Sequence, residues 1–125
     1  MKPDISSFED IHFIITKFYD KLLIDKKMAP FFEEIVQHNH LEKHIQVIAN
    51  FWNDILFDTL LYRENVMQKH LTKSAMMAFQ KEHFSIWTSY FLTTIDTYFF
   101  GLNATTMKNR ALSIATVMQL KMNCY

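Results

Sequence analysis

The 125-residue chain predicts an all-α fold, and three features carry that prediction. Half of its residues are hydrophobic and 15% are aromatic, with 12 Phe and 8 Met, which supplies ample material for a core. Gly (1) and Pro (2) are scarce, so the breakers that β-turns and tight loops demand are largely missing. Apolar side chains recur at three-and-four spacing over long stretches, the pattern of a helix with one buried face. A domain of this size buries roughly two thirds of the surface its unfolded chain exposes. No linker, internal repeat or low-complexity tract divides the sequence, so residues 1–125 read as one domain.

Ser6 and Glu9 stand at capping-box spacing, and Ile11, Ile14, Ile15, Phe18, Tyr19, Leu22 and Leu23 then mark a first helix that ends near Leu23. Pro30 suits the first position of a short helical turn carrying Phe31 and Phe32, and Gln37 to His40 reads as a loop. A second helix starts near Leu41, with Ile45, Ile48, Trp52 and Ile55 on one side and His44 and Phe51 beside them, and runs to about Leu61. Arg63 to Leu71 form a shorter segment around His70. From Phe79 a long helix repeats Phe84, Trp87, Phe91, Ile95 and Tyr98 at helical spacing. Gly101 is placed to be its left-handed C-terminal cap. Asn103 is placed to cap a last helix whose apolar face runs through Met107, Ala111, Ile114, Met118 and Met122.

Thirteen basic and 13 acidic residues cancel, which leaves no electrostatic footprint for a nucleic-acid partner. The single cysteine, Cys124, cannot form an intrachain disulfide, in keeping with a reducing compartment. Met1-Lys2-Pro3-Asp4 begins no apolar run of signal-peptide type, and no stretch approaches the about 18 apolar residues of a membrane span. The expectation is a soluble cytoplasmic protein with no membrane partner.

Chemistry concentrates around His70. The stretch Met67-Gln68-Lys69-His70-Leu71 presents one imidazole between two long aromatic-rich helices, where a haem protein would place its iron ligand. Haem takes a neutral imidazole nitrogen as axial ligand, with the other ring N–H held by an acceptor, inside a largely apolar slot. Met67 and Leu71 supply the apolar face, and Lys69, Lys73 and Arg63 offer cations for the porphyrin propionates. A surface histidine on an ordinary amphipathic helix has the same spacing.

On the opposite side a bound dioxygen acquires partial negative charge, and Tyr19 and Trp87 are the available donors. Each is equally at home as a packing residue of a helical core. His44, four residues before Ile48 and seven before Phe51, shares a face with side chains able to cover a flat ligand; there it either gates entry, binds the iron when no gas is present, or faces solvent near the helix start. The trio His38, His40 and His44 imitates a metal cluster but lacks a cysteine or carboxylate at matching spacing.

Taken together, Phe18-Tyr19, Phe32, His44, Phe51-Trp52, His70 and His83-Phe84-x2-Trp87 resemble the truncated haemoglobins over roughly residues 8 to 122, most closely their third group. The diglycine motifs of groups one and two are absent. The resemblance implies a two-over-two helical sandwich holding haem b, with His70 as proximal iron ligand, Tyr19 and Trp87 as polar distal residues and His44 as a distal histidine that swings open or closed. It also implies that Phe32 wedges against the porphyrin, that Ile48 lines the distal floor, and that Phe51, Met67, Lys69 and Phe84 complete the haem contacts. The implied ligands are dioxygen, nitric oxide, carbon monoxide and cyanide at five-coordinate iron, with nitric oxide dioxygenase or peroxidase-like turnover if a reductant is supplied. The stretch from Thr72 to Glu82 departs from the family, being longer than usual and without its prolines. A rival reading is a haem-free helical module whose aromatic faces bind a partner helix or an apolar ligand.

Overall fold

A computed structural model describes residues 1–62 and 80–121 of the chain. Met67, Lys69 and His70, the short segment expected around them and most of the stretch from Thr72 to Glu82 lie outside the described residues. The described elements are α1 (Phe8–Ile24), a 3-10 turn (Ala29–Phe32), α2 (Glu33–Gln37), α3 (Leu41–Phe57), α4 (Lys81–Tyr98) and α5 (Leu102–Lys121). Helix α1 packs on α3 and α4 packs on α5; the two pairs meet where α1 crosses α4 and α3 crosses α5. This is the two-over-two sandwich, and its core lies between the pairs. No helix among the described residues is long and apolar enough to cross a membrane.

The helix faces follow from the spacing of apolar residues. In α1, Ile11, Ile14, Ile15, Phe18, Tyr19 and Leu22 are buried, and in α5 Ala104, Met107, Ala111, Ala115 and Met118 are. Helix ends depart from expectation because longer-range partners decide them. Ser7, not Ser6, caps α1: its hydroxyl accepts the Asp10 N–H at 3.2 Å, while the Ser6 N–H donates to the Asp10 carboxylate at 2.9 Å. Helix α3 stops at Phe57 instead of near Leu61. Asp58 turns left-handed at φ 57°, and the Asp54 carboxylate captures the N–H groups of Leu61 and Tyr62, both at 2.8 Å, which folds the chain back. Helix α4 begins at Lys81, two residues after Phe79, because Gln80 and His83 form a reciprocal capping box in which the Gln80 N–H donates to His83 Nδ1 at 2.8 Å.

Gly101 and Asn103 also take other roles than expected. Extended backbone at Phe99 (φ −137°, ψ 155°) ends α4. Gly101 lies at φ +148°, and a Cβ there would collide with the side chain of Asp4. Asp4 itself caps α5 from the far end of the sequence, its carboxylate accepting the N–H groups of Asn103 and Ala104, both at 2.9 Å. Asn103 instead donates its side-chain amide to the Ile5 carbonyl at 2.7 Å, and the Phe100 N–H donates to the Pro3 carbonyl at 2.9 Å. The N-terminal arm thereby clamps the corner between α4 and α5, with a negative charge on the positive end of the α5 dipole.

Burial works to raise the Asp4 pKa, but hydrogen bonds from the backbone of Asn103, Ala104, Ile5 and Leu102 outweigh it and hold the carboxyl below its usual 3.8. A carboxyl with a depressed folded-state pKa stabilises the fold above its unfolded value and loses that contribution as pH falls through the folded one. Asp4→Ala should therefore lower unfolding stability by about 1 kcal/mol at neutral pH, the usual cost of losing an N-cap. In urea titrations the gap between parent and variant should narrow below the ordinary carboxyl value of 3.8.

Candidate functional site

The two helix layers leave an apolar cavity open between them, and each of the longer described elements contributes a wall. Helix α1 gives Phe18 and Tyr19, the corner after it gives Met28 and Phe32, and α3 gives Ile48, Phe51 and Trp52. Helix α4 adds Phe84, Trp87 and Phe91, and α5 adds Ile114, Ala115 and Met118. The space between these walls, its open mouth included, comes to about 690 Å³.

Aromatic packing makes these walls stiff and flat. Phe91 lies between two indoles, 5.3 Å from Trp52 at an interplanar angle of 28° and 5.3 Å from Trp87 at 3°. Phe18 stands edge-on to Phe91 at 4.9 Å and to Trp87 at 5.6 Å, locking α1 against α4. Offset-stacked and edge-to-face pairs add to what area burial alone contributes, so these rings hold fixed positions.

Polar chemistry is confined to one side. Tyr19 is 3% exposed, and its hydroxyl shares a 2.7 Å hydrogen bond with His44 Nε2. Burial pushes the phenol pKa well above its ordinary 10.0, so the hydroxyl keeps its proton throughout the neutral range. The Tyr19 ring meets His44 at 5.2 Å and Phe32 at 5.3 Å, both edge-on, which fixes the phenol from two sides. His44, on α3, is half-buried and does not itself line the cavity. Trp87 is half-buried in the wall contributed by α4.

Tyr19, Phe32, Ile48, Phe51, Phe84 and Trp87, all singled out from the sequence, thus line one cavity. His44 is held by Tyr19, while the His38 and His40 rings approach each other at 6.1 Å. Among the described residues no group of three His, Cys, Asp or Glu is arranged to hold a metal ion. Met28 escaped the sequence reading: it is fully buried yet belongs to the irregular corner after α1, where no periodicity marks it. Ala115 escaped it too, because a small residue on a helix face carries no signal of its own.

Walls of this composition suit a flat, mostly apolar group, with a polar contact offered on the Tyr19 side. Haem is such a group: its ring would meet aromatic and aliphatic walls, and a small ligand beside it would find the tyrosine and tryptophan donors.

No family model matches the chain. It is 27% identical over 121 residues to a group 3 truncated haemoglobin, ctb, of Campylobacter jejuni, an alignment covering 95% of this chain and 93% of that protein. Its fold matches the crystal structure of a group III truncated haemoglobin from Campylobacter jejuni with a TM-score of 0.85 and 26% identity, covering 98% of this chain and 95% of the other.

Proposed function

We propose that this chain, whose sequence and fold resemble those of the group III truncated haemoglobins along nearly their whole length, is a single-domain, cytoplasmic haem protein that binds diatomic ligands in the cavity between its helix layers. The observation that carries this reading is the Tyr19–His44 hydrogen bond at the edge of an otherwise apolar, aromatic-walled cavity, with Trp87 as a second donor in its wall. Haem b would supply there an iron able to bind dioxygen, nitric oxide, carbon monoxide or cyanide.

The residues of the chain divide the remaining work. His70 would hold the iron, Phe32, Ile48, Phe51, Met67 and Phe84 would pack on the ring, and Lys69 would meet a propionate. Tyr19, kept protonated by burial, would donate toward the ligand. In the tautomer that carries its proton on Nε2, His44 donates to the phenol oxygen and leaves the Tyr19 O–H free for that role. Trp87 offers its indole N–H from the α4 wall, and Phe91, stacked behind it, limits its freedom to turn.

Oxidation of nitric oxide or cleavage of peroxide in the same cavity needs an external reductant. Catalytic consumption of either substrate with a reducing partner, set beside reversible gas binding, separates turnover from simple binding. The reading itself is tested by the absorption spectrum of freshly purified protein before and after addition of haemin. A Soret band supports it, and a protein that stays without one supports the haem-free module that binds a partner helix or apolar ligand.

A further inference from the structure

Outside the cavity, two polar contacts tie the corner after α1 to α4: an exposed ion pair of Lys27 with Glu82 at 3.0 Å, and a part-buried hydrogen bond between Asp25 and Tyr90. Asp25 terminates α1, six residues beyond Tyr19, and its carboxylate receives three donors. Oδ1 accepts the Lys27 N–H at 2.8 Å and the Met28 N–H at 3.1 Å, and Oδ2 accepts the Tyr90 hydroxyl at 2.6 Å. The Asp25 carbonyl accepts the N–H groups of Met28 at 3.2 Å and Ala29 at 2.8 Å, so one residue organises the whole corner whose Met28 lines the cavity. Tyr90 lies on α4 three residues beyond Trp87 and next to Phe91. Neither Asp25 nor Tyr90 lines the cavity.

We propose that Asp25 and Tyr90 are positioning residues that set the spacing between Tyr19 and Trp87 across the cavity, a role that rests on the ligand-binding reading above. A charge-assisted O–H to carboxylate bond is among the shorter and stronger contacts available to a protein, and here it spans from the end of α1 to the middle of α4. The Phe18 contacts with Trp87 and Phe91 fix how closely those helices approach, and the Asp25–Tyr90 bond fixes where along their length they are pinned. The Tyr90 hydroxyl, joined by Lys27, holds the Asp25 carboxyl below its usual range against the opposing effect of burial, and Asp25 in turn raises the Tyr90 phenol. The bond is therefore formed with the acid ionised and the phenol protonated throughout the neutral range.

The test uses Tyr90→Phe, Asp25→Asn, the double variant and, as a control, Tyr98→Phe on the outer side of the same helix. Two readouts are taken on the protein as purified: the NMR resonance of the Trp87 indole N–H, and the dioxygen dissociation rate. Both single variants should move the Trp87 resonance and raise dissociation about two- to tenfold, the factor that corresponds to one ordinary hydrogen bond. The double variant should add little to the larger single effect, and Tyr98→Phe should change neither readout. Variants that melt earlier yet keep the parent's resonance and rate would show a brace of the fold only and overturn the proposal. A protein that takes up no haem sinks the functional reading, and the resonance alone then decides whether the pair positions Trp87.

Discussion

Replacing His70 with alanine is expected to cost the protein its fixed haem ligation. The imidazole is the one group proposed to bond the iron, and its loss should exceed the about 10–100-fold drop in metal affinity that follows removal of an outer partner of a ligand. The purified variant should show a Soret band that is absent or shifted, and haem should transfer to an acceptor protein much faster than from the parent. His70→Gly offers a sharper form of the test: free imidazole, which can enter the vacated space, should restore the parent spectrum. A spectrum indifferent to both substitutions assigns the ligand elsewhere, with His44 and His83 the histidines to test next.

The second large effect is expected at the donors. A hydrogen bond to a charged or strongly polarised partner contributes roughly 1.5–3 kcal/mol, so losing one should raise the dioxygen dissociation rate roughly ten- to hundredfold. Tyr19→Phe is the cleaner substitution, since the retained ring still meets Phe18 at 5.4 Å and Phe32 at 5.3 Å and only the hydroxyl is lost. Trp87→Phe also removes part of the stack on Phe91, so its thermal stability must be measured beside its kinetics. Carbon monoxide, which gains less from a donor than the more polarised dioxygen, should respond less in both variants. Stopped-flow traces identical to the parent in both would show that these residues only pack.

Much of this molecule is legible in its sequence, and the division has a physical basis. Helix faces are local: Ile11, Ile14, Ile15, Phe18 and Leu22 recur along one stripe of α1, and burial follows the stripe. Helix ends are not local. Asp4 caps α5 across 99 and 100 residues, which no window of sequence contains, and the turnback after α3 depends on Asp54 reaching seven and eight residues ahead. Gly101 invited assignment to the helix before it because a lone glycine signals a break; a close neighbour, Asp4, is what requires it.

The candidate site divides the same way. Tyr19, Phe32, Ile48, Phe51, Phe84 and Trp87 are recognisable because their order and spacing carry the pattern, although each alone is an ordinary core residue. The hydrogen bond between Tyr19 and His44 joins positions 25 apart on different helices, and only the packing of α1 on α3 reveals it. Met28 and the Asp25–Tyr90 contact belong to tertiary structure entirely, the latter spanning 65 residues.

The account stands on the cavity being a haem site, and titration of the protein with haemin tests that most directly. Two of the cavity's walls carry the only tryptophans in the chain, Trp52 and Trp87, so both indoles report on what enters. The account predicts that tryptophan emission is quenched and a Soret band grows in parallel, both reaching saturation at one equivalent. Emission that declines without saturation, or a band that never departs from that of free haemin, would contradict it.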